Sequence, residues 1–312
     1  MKKHNFAAGP SIISEFSKRE TAGGILNLKN TGLSVMEISH RSPEFSEIME
    51  DTCNIMRDLL NIPLNYHILF LHGGASMQFL MVPYNLLNKK AAYLETGSWA
   101  KKAIKEAQLF GETEVVASSA DENYNYIPKK YTIPEDADYF HITTNNTIFG
   151  TEIKKDLDSP IPLVADASSD ILSRPMDVSK YGIIYGGAQK NVGPAGVAFV
   201  IIREDILGKV DRAIPTMLDY NTHIPKNSLF NTPPCLAIYA SLQNMIWLKQ
   251  IGGVEEIHKI NLKKAKLIYD ELDRNRLFQP TVKNEEDRSI MNVTFVMTPE
   301  YQDKEVEFRE FA

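Results

Sequence analysis

The 312-residue chain has only two cysteines, Cys53 and Cys235, with no CxxC spacing and no neighbouring histidine pair. A disulfide framework and a zinc site are therefore not expected, and a reducing cytoplasm is the natural setting. No apolar run approaches the ~18 residues that a membrane-spanning helix needs. The opening Met-Lys-Lys-His-Asn-Phe leads straight into a Gly-Pro turn, without the apolar stretch of a secretory leader. Basic runs are also missing. With a formal net charge of −6, nucleic acid is not an expected partner. The nucleotide-binding patterns GxGxxG and GxxxxGK[ST] do not occur. What remains, 43% hydrophobic and 24% charged residues, is the balance of a globular protein with a sizeable core.

From about residue 66, short apolar runs alternate with helical patterns. Tyr66–Leu71, Ala91–Leu94, Tyr139–Thr143, Pro162–Ala165, Gly182–Tyr185 and Val197–Ile202 read as strands. Met77–Leu87, disturbed by Pro83, and Trp99–Leu109 read as helices between them. Interleaved strands and helices predict crossover connections and a mainly parallel, buried sheet, an α/β fold. Beyond Pro234 the pattern changes. Cys235–Leu248 and Val254–Leu272 are helical, broken by Gly252-Gly253, and Gln279–Met297 is strand-forming. This predicts a smaller α+β unit after a border near Gly252. A helical pattern opens at Val306 and stops within itself at Ala312, so the natural chain is expected to continue.

Lys190 lies in Tyr185-Gly-Gly-Ala-Gln-Lys-Asn-Val-Gly-Pro-Ala-Gly196, between two apolar strands and with hardly any charge nearby. Glycines let backbone approach a ligand closely, and an apolar site lowers a lysine's pKa, leaving an amine able to attack a carbonyl. An exposed turn lysine is the alternative. Asp166 ends the strand Pro162–Ala165. A carboxylate there points into the crevice where α/β proteins bind ligands, and it could keep the ring nitrogen of pyridoxal phosphate protonated. A helix N-cap is its ordinary role. His72-Gly-Gly-Ala-Ser-Met-Gln78 joins a strand to a helix start, where the amides of Ala75 and Ser76 could hold one phosphate. Trp99, after Thr96-Gly-Ser98, could stack on a flat ring or sit in the core. Thr147 could donate to a phenolic oxygen or serve an ordinary loop.

Six segments in order carry a family resemblance: Asn5-Phe-Ala-Ala-Gly-Pro10, Met36-Glu-Ile-Ser-His-Arg-Ser42, Ala165-Asp-Ala-Ser-Ser-Asp-Ile-Leu-Ser-Arg-Pro175, the Tyr185–Gly196 run, Phe230-Asn-Thr-Pro-Pro234 and Arg288-Ser-Ile-Met-Asn-Val293. Together they resemble the phosphoserine aminotransferase family, fold-type I pyridoxal-phosphate enzymes of the class V aminotransferase group. The resemblance runs nearly end to end. It implies a seven-stranded, mainly parallel sheet between helices in a large cofactor domain over residues 16–252. A smaller α+β domain would be formed by residues 1–15 and 253–312. It implies Lys190 as the Schiff-base lysine, Asp166 on the pyridine nitrogen, Trp99 stacked on the ring and Thr147 on its phenolic oxygen. Ala75, Ser76 and Gln189 would hold the cofactor phosphate, joined by Asn231 and Thr232 from the other subunit of a homodimer. His40 and Arg41 would grip the substrate's phosphate, as suits an arginine fork; they would otherwise be a solvated turn.

The reaction so implied is a ping-pong transamination. L-Glutamate and 3-phosphohydroxypyruvate would give 2-oxoglutarate and O-phospho-L-serine, with a phosphorylated four-carbon keto acid of vitamin B6 synthesis as a second substrate. Some relatives carry an arginine where this chain has Ser76. The family's later His-Arg pair and further arginine have no counterpart within residues 1–312, which leaves the expected substrate clamp incomplete. A desulfurase of the same group would share Lys190 and Asp166 but needs a mobile reactive cysteine. Neither Cys53, in a helical stretch, nor Cys235, after Pro-Pro, is placed for that.

Overall fold

A computed structural model describes residues 4–311. Helices α1 (Glu15–Asn27) and α2 (Pro43–Leu60) come first. Both are capped from the sequence. Ser14 and Ser42 accept from the backbone N–H groups of Ser17 and Phe45, Pro43 opens α2, and Asn61 closes it in the left-handed conformation. Then follow β1 (Tyr66–Leu71), α3 (Gly74–Leu86), β2 (Lys90–Glu95), α4 (Ser98–Ala107), β3 (Glu112–Ser118), β4 (Tyr139–Thr143) and the short pair β5 (Asn145–Asn146) and β6 (Thr151–Glu152). After these come β7 (Leu163–Asp166), β8 (Ile183–Gly187), β9 (Ala198–Arg203), α5 (Tyr220–His223), α6 (Cys235–Gln250) and α7 (Gly253–Arg274). The strands β10 (Phe278–Pro280) and β11 (Phe295–Met297) and the helix α8 (Glu305–Phe311) complete the order.

The main sheet has seven strands in the order β1-β9-β8-β7-β4-β2-β3, all parallel except β9. Both faces are covered, which is why its central strands read as unbroken apolar runs. The alternation is visible residue by residue. Phe70, Leu94, Ile142, Ala165, Ile184 and Ile201 pack with α2 and α6, while Leu69, Leu71, Tyr93, Tyr139, Val164 and Val200 pack with α3 and α4. Among the described residues no helix is long and apolar enough to cross a membrane.

The expected strands β1 and β4 have the predicted bounds, and the others differ by one or two residues. Strand β3 escapes the apolar-run reading because it is an edge strand. Its residues, Glu112-Thr-Glu-Val-Val-Ala-Ser118, are exposed or half-buried and carry no continuous hydrophobic signal. Helix α3 begins three residues before the expected Met77 and runs through Pro83, whose neighbours Met81, Val82 and Leu86 are buried against the sheet. Tertiary burial there outweighs the local cost of proline. The strand-forming stretch 279–297 yields only the two three-residue strands β10 and β11, paired with each other. Of the helical pattern expected over Val306–Ala312, α8 occupies all but Ala312, which lies outside the described residues.

Candidate active site

The C-terminal ends of β1, β2, β4, β7 and β8 open on the same edge of the sheet, the place where parallel α/β sheets bind ligands. A cavity of about 170 Å³ lies there, and Ala75, Ser76, Trp99, Thr147, Asp166, Gln189 and Lys190 all line it. Seven of the eleven expected site residues, drawn from five separate segments, thus converge. Phe79, Thr143, Asn145, Ser168 and Ser169 line it as well.

Each wall has a local cause. After β1 the chain turns through Gly73 (φ 88°) and Gly74 (φ 63°) directly into α3. A Cβ on Gly73 would come within 2.6 Å of the Met77 Cβ, so the turn admits only glycine there. The turn leaves the first amides of α3, those of Ala75 and Ser76, at the cavity, where they suit an anion. Trp99 opens α4 half-buried. Lys102 Nζ lies 4.3 Å from its ring centroid, and its indole Nε1 is buried without a hydrogen-bond partner among the described residues.

Asp166 is the last residue of β7 and only 4% exposed. Its Oδ1 accepts from the backbone N–H of Ser168 at 3.0 Å and from the Ser168 hydroxyl at 2.6 Å. The Ser168 Oγ in turn accepts from the Gly187 amide at 3.2 Å, which ties the arrangement to β8. Oδ2 has no partner among the described residues. Burial pushes this carboxyl up from its ordinary range, while the Ser168 bonds and the charge of Lys190 pull it down. Ser168, within the Ala165–Pro175 segment, was assigned no role from the sequence. An Asp-x-Ser turn at a strand end was the available signal for its part here.

Lys190 follows β8, and its Nζ donates to Thr147 Oγ1 at 2.5 Å. Burial lowers its pKa, against the opposing charges of Asp166 and Asp170. The amino-terminal segment packs behind it. The Ser11 amide donates to the Gln189 carbonyl at 2.9 Å, the Ser11 hydroxyl donates to the Lys190 carbonyl, and a Cβ on Gly9 would lie 3.3 Å from the lysine stem.

The remaining expected residues lie outside this cavity. Asn231 lines a separate hollow, and the Thr232 carbonyl meets His72 Nε2 at 2.8 Å. Arg41 is exposed and His40 half-buried, at the start of α2. Neither cysteine reaches the cavity. The Cys53 thiol donates to the Ile68 carbonyl at 3.7 Å, and burial pushes it up to about 12. Cys235 is half-buried at the start of α6, its thiol also raised by burial. Neither is the exposed thiolate that a desulfurase would need.

An unsatisfied carboxylate oxygen, a lysine inclined to be neutral, a helix start open to an anion and an aromatic wall form a donor set that fits pyridoxal phosphate. The chain belongs to the class-V aminotransferase family, which it matches over residues 23–306. Its relatives narrow the group to phosphoserine aminotransferases. That of Azobacteroides pseudotrichonymphae genomovar. CFP2 is 60% identical over 312 residues, covering 100% of this chain and 87% of the relative. Among solved structures, the phosphoserine aminotransferase of Bacillus circulans subsp. alkalophilus superposes with a TM-score of 0.93 at 41% identity, covering 98% of this chain and 86% of that one. The enzyme of Trichomonas vaginalis, described as PLP-bound, gives 0.90 at 36% identity over 95% and 89%. The fold is accordingly that of a fold-type I enzyme, the activity is transamination, and the cofactor is pyridoxal phosphate.

Proposed function

We propose that this aminotransferase exchanges the amino group of L-glutamate with 3-phosphohydroxypyruvate, giving 2-oxoglutarate and O-phospho-L-serine in alternating half-reactions, as a step of serine biosynthesis. The observation that carries this reading is the convergence of Lys190, Asp166, Thr147, Trp99 and the Gly73-Gly74 turn on one cavity, in a chain 60% identical to proteins named for that reaction. The phosphorylated four-carbon keto acid of vitamin B6 synthesis is a second substrate on the same reading.

Pyridoxal phosphate supplies a conjugated ring that accepts the electron pair left when an amino acid loses its α-proton. The chain supplies the rest. Asp166 Oδ2 would pair with the ring nitrogen, and Ser168 orients that carboxylate. The amides of Ala75 and Ser76 and the side chain of Gln189 would hold the phosphate. Thr147 would face the phenolic oxygen, and Trp99 would cover one ring face. Lys190 would hold the cofactor, and its Nζ would be the base that takes the substrate's α-proton and passes it to the cofactor's C4′ carbon, a role that suits an amine whose pKa burial has lowered.

The same proposal covers what one copy of the chain leaves open. Asn231 and Thr232, outside the cavity, would complete the phosphate site of a second copy in a homodimer. His40 and Arg41 would hold the substrate's phosphate. Residues 16–252 would act as the cofactor domain and 1–15 with 253–312 as a smaller one, supported by a separate apolar cluster of Ala265, Tyr269 and Leu272. The enzyme would work in the cytoplasm.

The test is spectroscopic first. The purified protein should show a visible absorption band that changes on adding glutamate, and no change would refute the reading. A coupled assay should favour phosphohydroxypyruvate over pyruvate and glyoxylate. Replacing Arg41 with Ala should raise KM chiefly for the phosphorylated acid; an unchanged KM would remove Arg41 from the clamp.

A further inference from the structure

Below the cavity floor, Asp170 stands one turn after Asp166 and is fully buried. Its Oδ1 is in hydrogen-bond contact with the hydroxyl of Thr144, also fully buried. The same Thr144 Oγ1 lies 3.1 Å from the main-chain carbonyl of Asp166. A threonine hydroxyl has one proton. The Asp166 carbonyl also accepts from the Thr144 backbone N–H at 3.0 Å, so an ionised Asp170 would take the hydroxyl proton and leave that carbonyl this one bond. With a proton on Asp170 every close contact is a bond: the acid donates to Thr144 Oγ1, and the hydroxyl gives the Asp166 carbonyl a second bond beside the backbone one.

The charges around it point the same way. Arg174, on the same turn, makes its close contact elsewhere, Nη1 donating to Asp156 Oδ1 at 3.2 Å. Its Nε stands 3.7 Å from Asp170 Oδ2 and 3.9 Å from Glu152 Oε1, within ion-pair range but too far for hydrogen bonds, and all three atoms are buried without hydrogen-bond partners among the described residues. One guanidinium therefore faces three carboxyl groups, from β6, from the loop after it and from Asp170's own turn. Asp166 adds a fourth negative group from β7. Lys190 acts on Asp170 from beyond β8 and is itself pulled toward the neutral form, and the Tyr181 hydroxyl is already bonded to Asp156 at 2.9 Å. Low-dielectric surroundings with surplus negative charge favour a neutral acid.

We propose that Asp170 works as a neutral acid and is a positioning residue, holding the end of β7 through Thr144 so that the Asp166 carboxylate stays aimed into the cavity. Burial first, then Glu152 and Asp166, push the Asp170 carboxyl up to about 7, with Arg174 and Thr144 pulling against them. The positioning role rests on Asp166 being the partner of the cofactor ring. The neutral state does not, so the two can fail separately.

Asp170→Asn keeps a donor for Thr144 and cannot ionise. An acid bound more tightly in the folded state costs stability as pH rises from its unfolded to its folded pKa, and the cost is then constant. The melting temperature of the Asp170→Asn holoenzyme should therefore equal or exceed that of the wild type at about pH 8, and lose that advantage at about pH 5. A variant less stable at about pH 8, with the deficit vanishing in acid, would mean a working carboxylate and overturn the proposal. If the variant does not fold, infrared spectra of the wild type decide. A protonated-carboxyl stretch should be present in mildly acidic buffer and should shift in Thr144→Val. No such band, or one unmoved by that change, overturns the proposal. For positioning, Thr144→Val should lower kcat about tenfold at unchanged KM for glutamate, the worth of one lost hydrogen bond, and shift the pH midpoint of the visible band. A lower melting temperature with neither effect would leave Thr144 and Asp170 only structural and refute the positioning role.

Discussion

Ser168→Ala isolates the support of the Asp166 carboxylate. The change removes an O–H donor 2.6 Å from Oδ1 while the backbone donor at 3.0 Å stays. A hydrogen bond to a charged group contributes about 1.5–3 kcal/mol. Burial already pushes the Asp166 carboxyl up, so losing this bond moves it further toward the protonated form. A protonated Asp166 cannot form an ion pair with a cationic ring nitrogen. Affinity for pyridoxal phosphate should fall about ten- to a hundredfold if the ionised carboxylate is what binds. The same substitution leaves the Gly187 amide without its acceptor, at about 1–3 kcal/mol of stability. The assay titrates cofactor into apoprotein by visible absorbance and then measures kcat at saturating cofactor. Ser168→Thr keeps the hydroxyl and should recover most of the affinity. If Ser168→Ala melts lower but binds cofactor within about twofold of the wild type, the bond serves β7–β8 packing alone and the electrostatic reasoning fails.

Two further predictions concern the walls of the cavity. Gly73→Ala forces a side chain into a left-handed conformation against Met77. It should cost about 1–2 kcal/mol of stability and weaken inorganic phosphate competition with the cofactor; equal melting temperatures would show that the turn relaxes freely. Because Lys190 must act as a free amine and burial lowers its pKa, the rate with glutamate should fall as pH drops through that lowered value. A rate independent of pH on the acid side, or turnover by Lys190→Ala, would show that another base is at work.

How much of this was legible in the sequence differs by element. The central strands were, because burial on both faces leaves an unbroken apolar run, and β1 and β4 have the expected ends. Strand β3 was not, since an edge strand with Glu112, Glu114 and an exposed Val115 carries no such run. The cofactor cavity was largely legible because its residues follow strand ends and glycine turns, where local sequence fixes local geometry. The Thr144–Asp170 pair was not. Residues 26 positions apart meet only through the pairing of β4 with β7, and each looks ordinary in its own segment. Asn231, Thr232, His40 and Arg41 marked motifs, but a motif does not say which cavity it serves, and in a single chain none of the four lines the cavity of Lys190.

The site also bears on how the protein holds together. Asp166, Thr143 and Asn145 are buried polar groups gathered at the strand ends; among the described residues Asp166 Oδ2 accepts no hydrogen bond where the carboxyl lines the cavity, and Thr143 Oγ1 and Trp99 Nε1 are buried without a partner. A buried polar group without a partner costs about 1–3 kcal/mol, so the apoprotein folds against a penalty that a correctly placed cation and anion would offset. Cofactor binding should therefore be coupled to stability beyond tight affinity at a surface pocket. At a free cofactor concentration about 1,000 times Kd the linkage contributes about 4.1 kcal/mol. Spread over the unfolding entropy of 312 residues, that raises the melting temperature by about 6 °C. Asp166→Asn removes the charge that a ring cation would pair with. It should raise the melting temperature of the apoprotein, because an amide is cheaper to bury than a carboxylate, while shrinking the increment on adding cofactor. Should apoprotein and holoenzyme melt together, or should Asp166→Asn keep the full increment, the unsatisfied carboxylate would not be what the cofactor relieves.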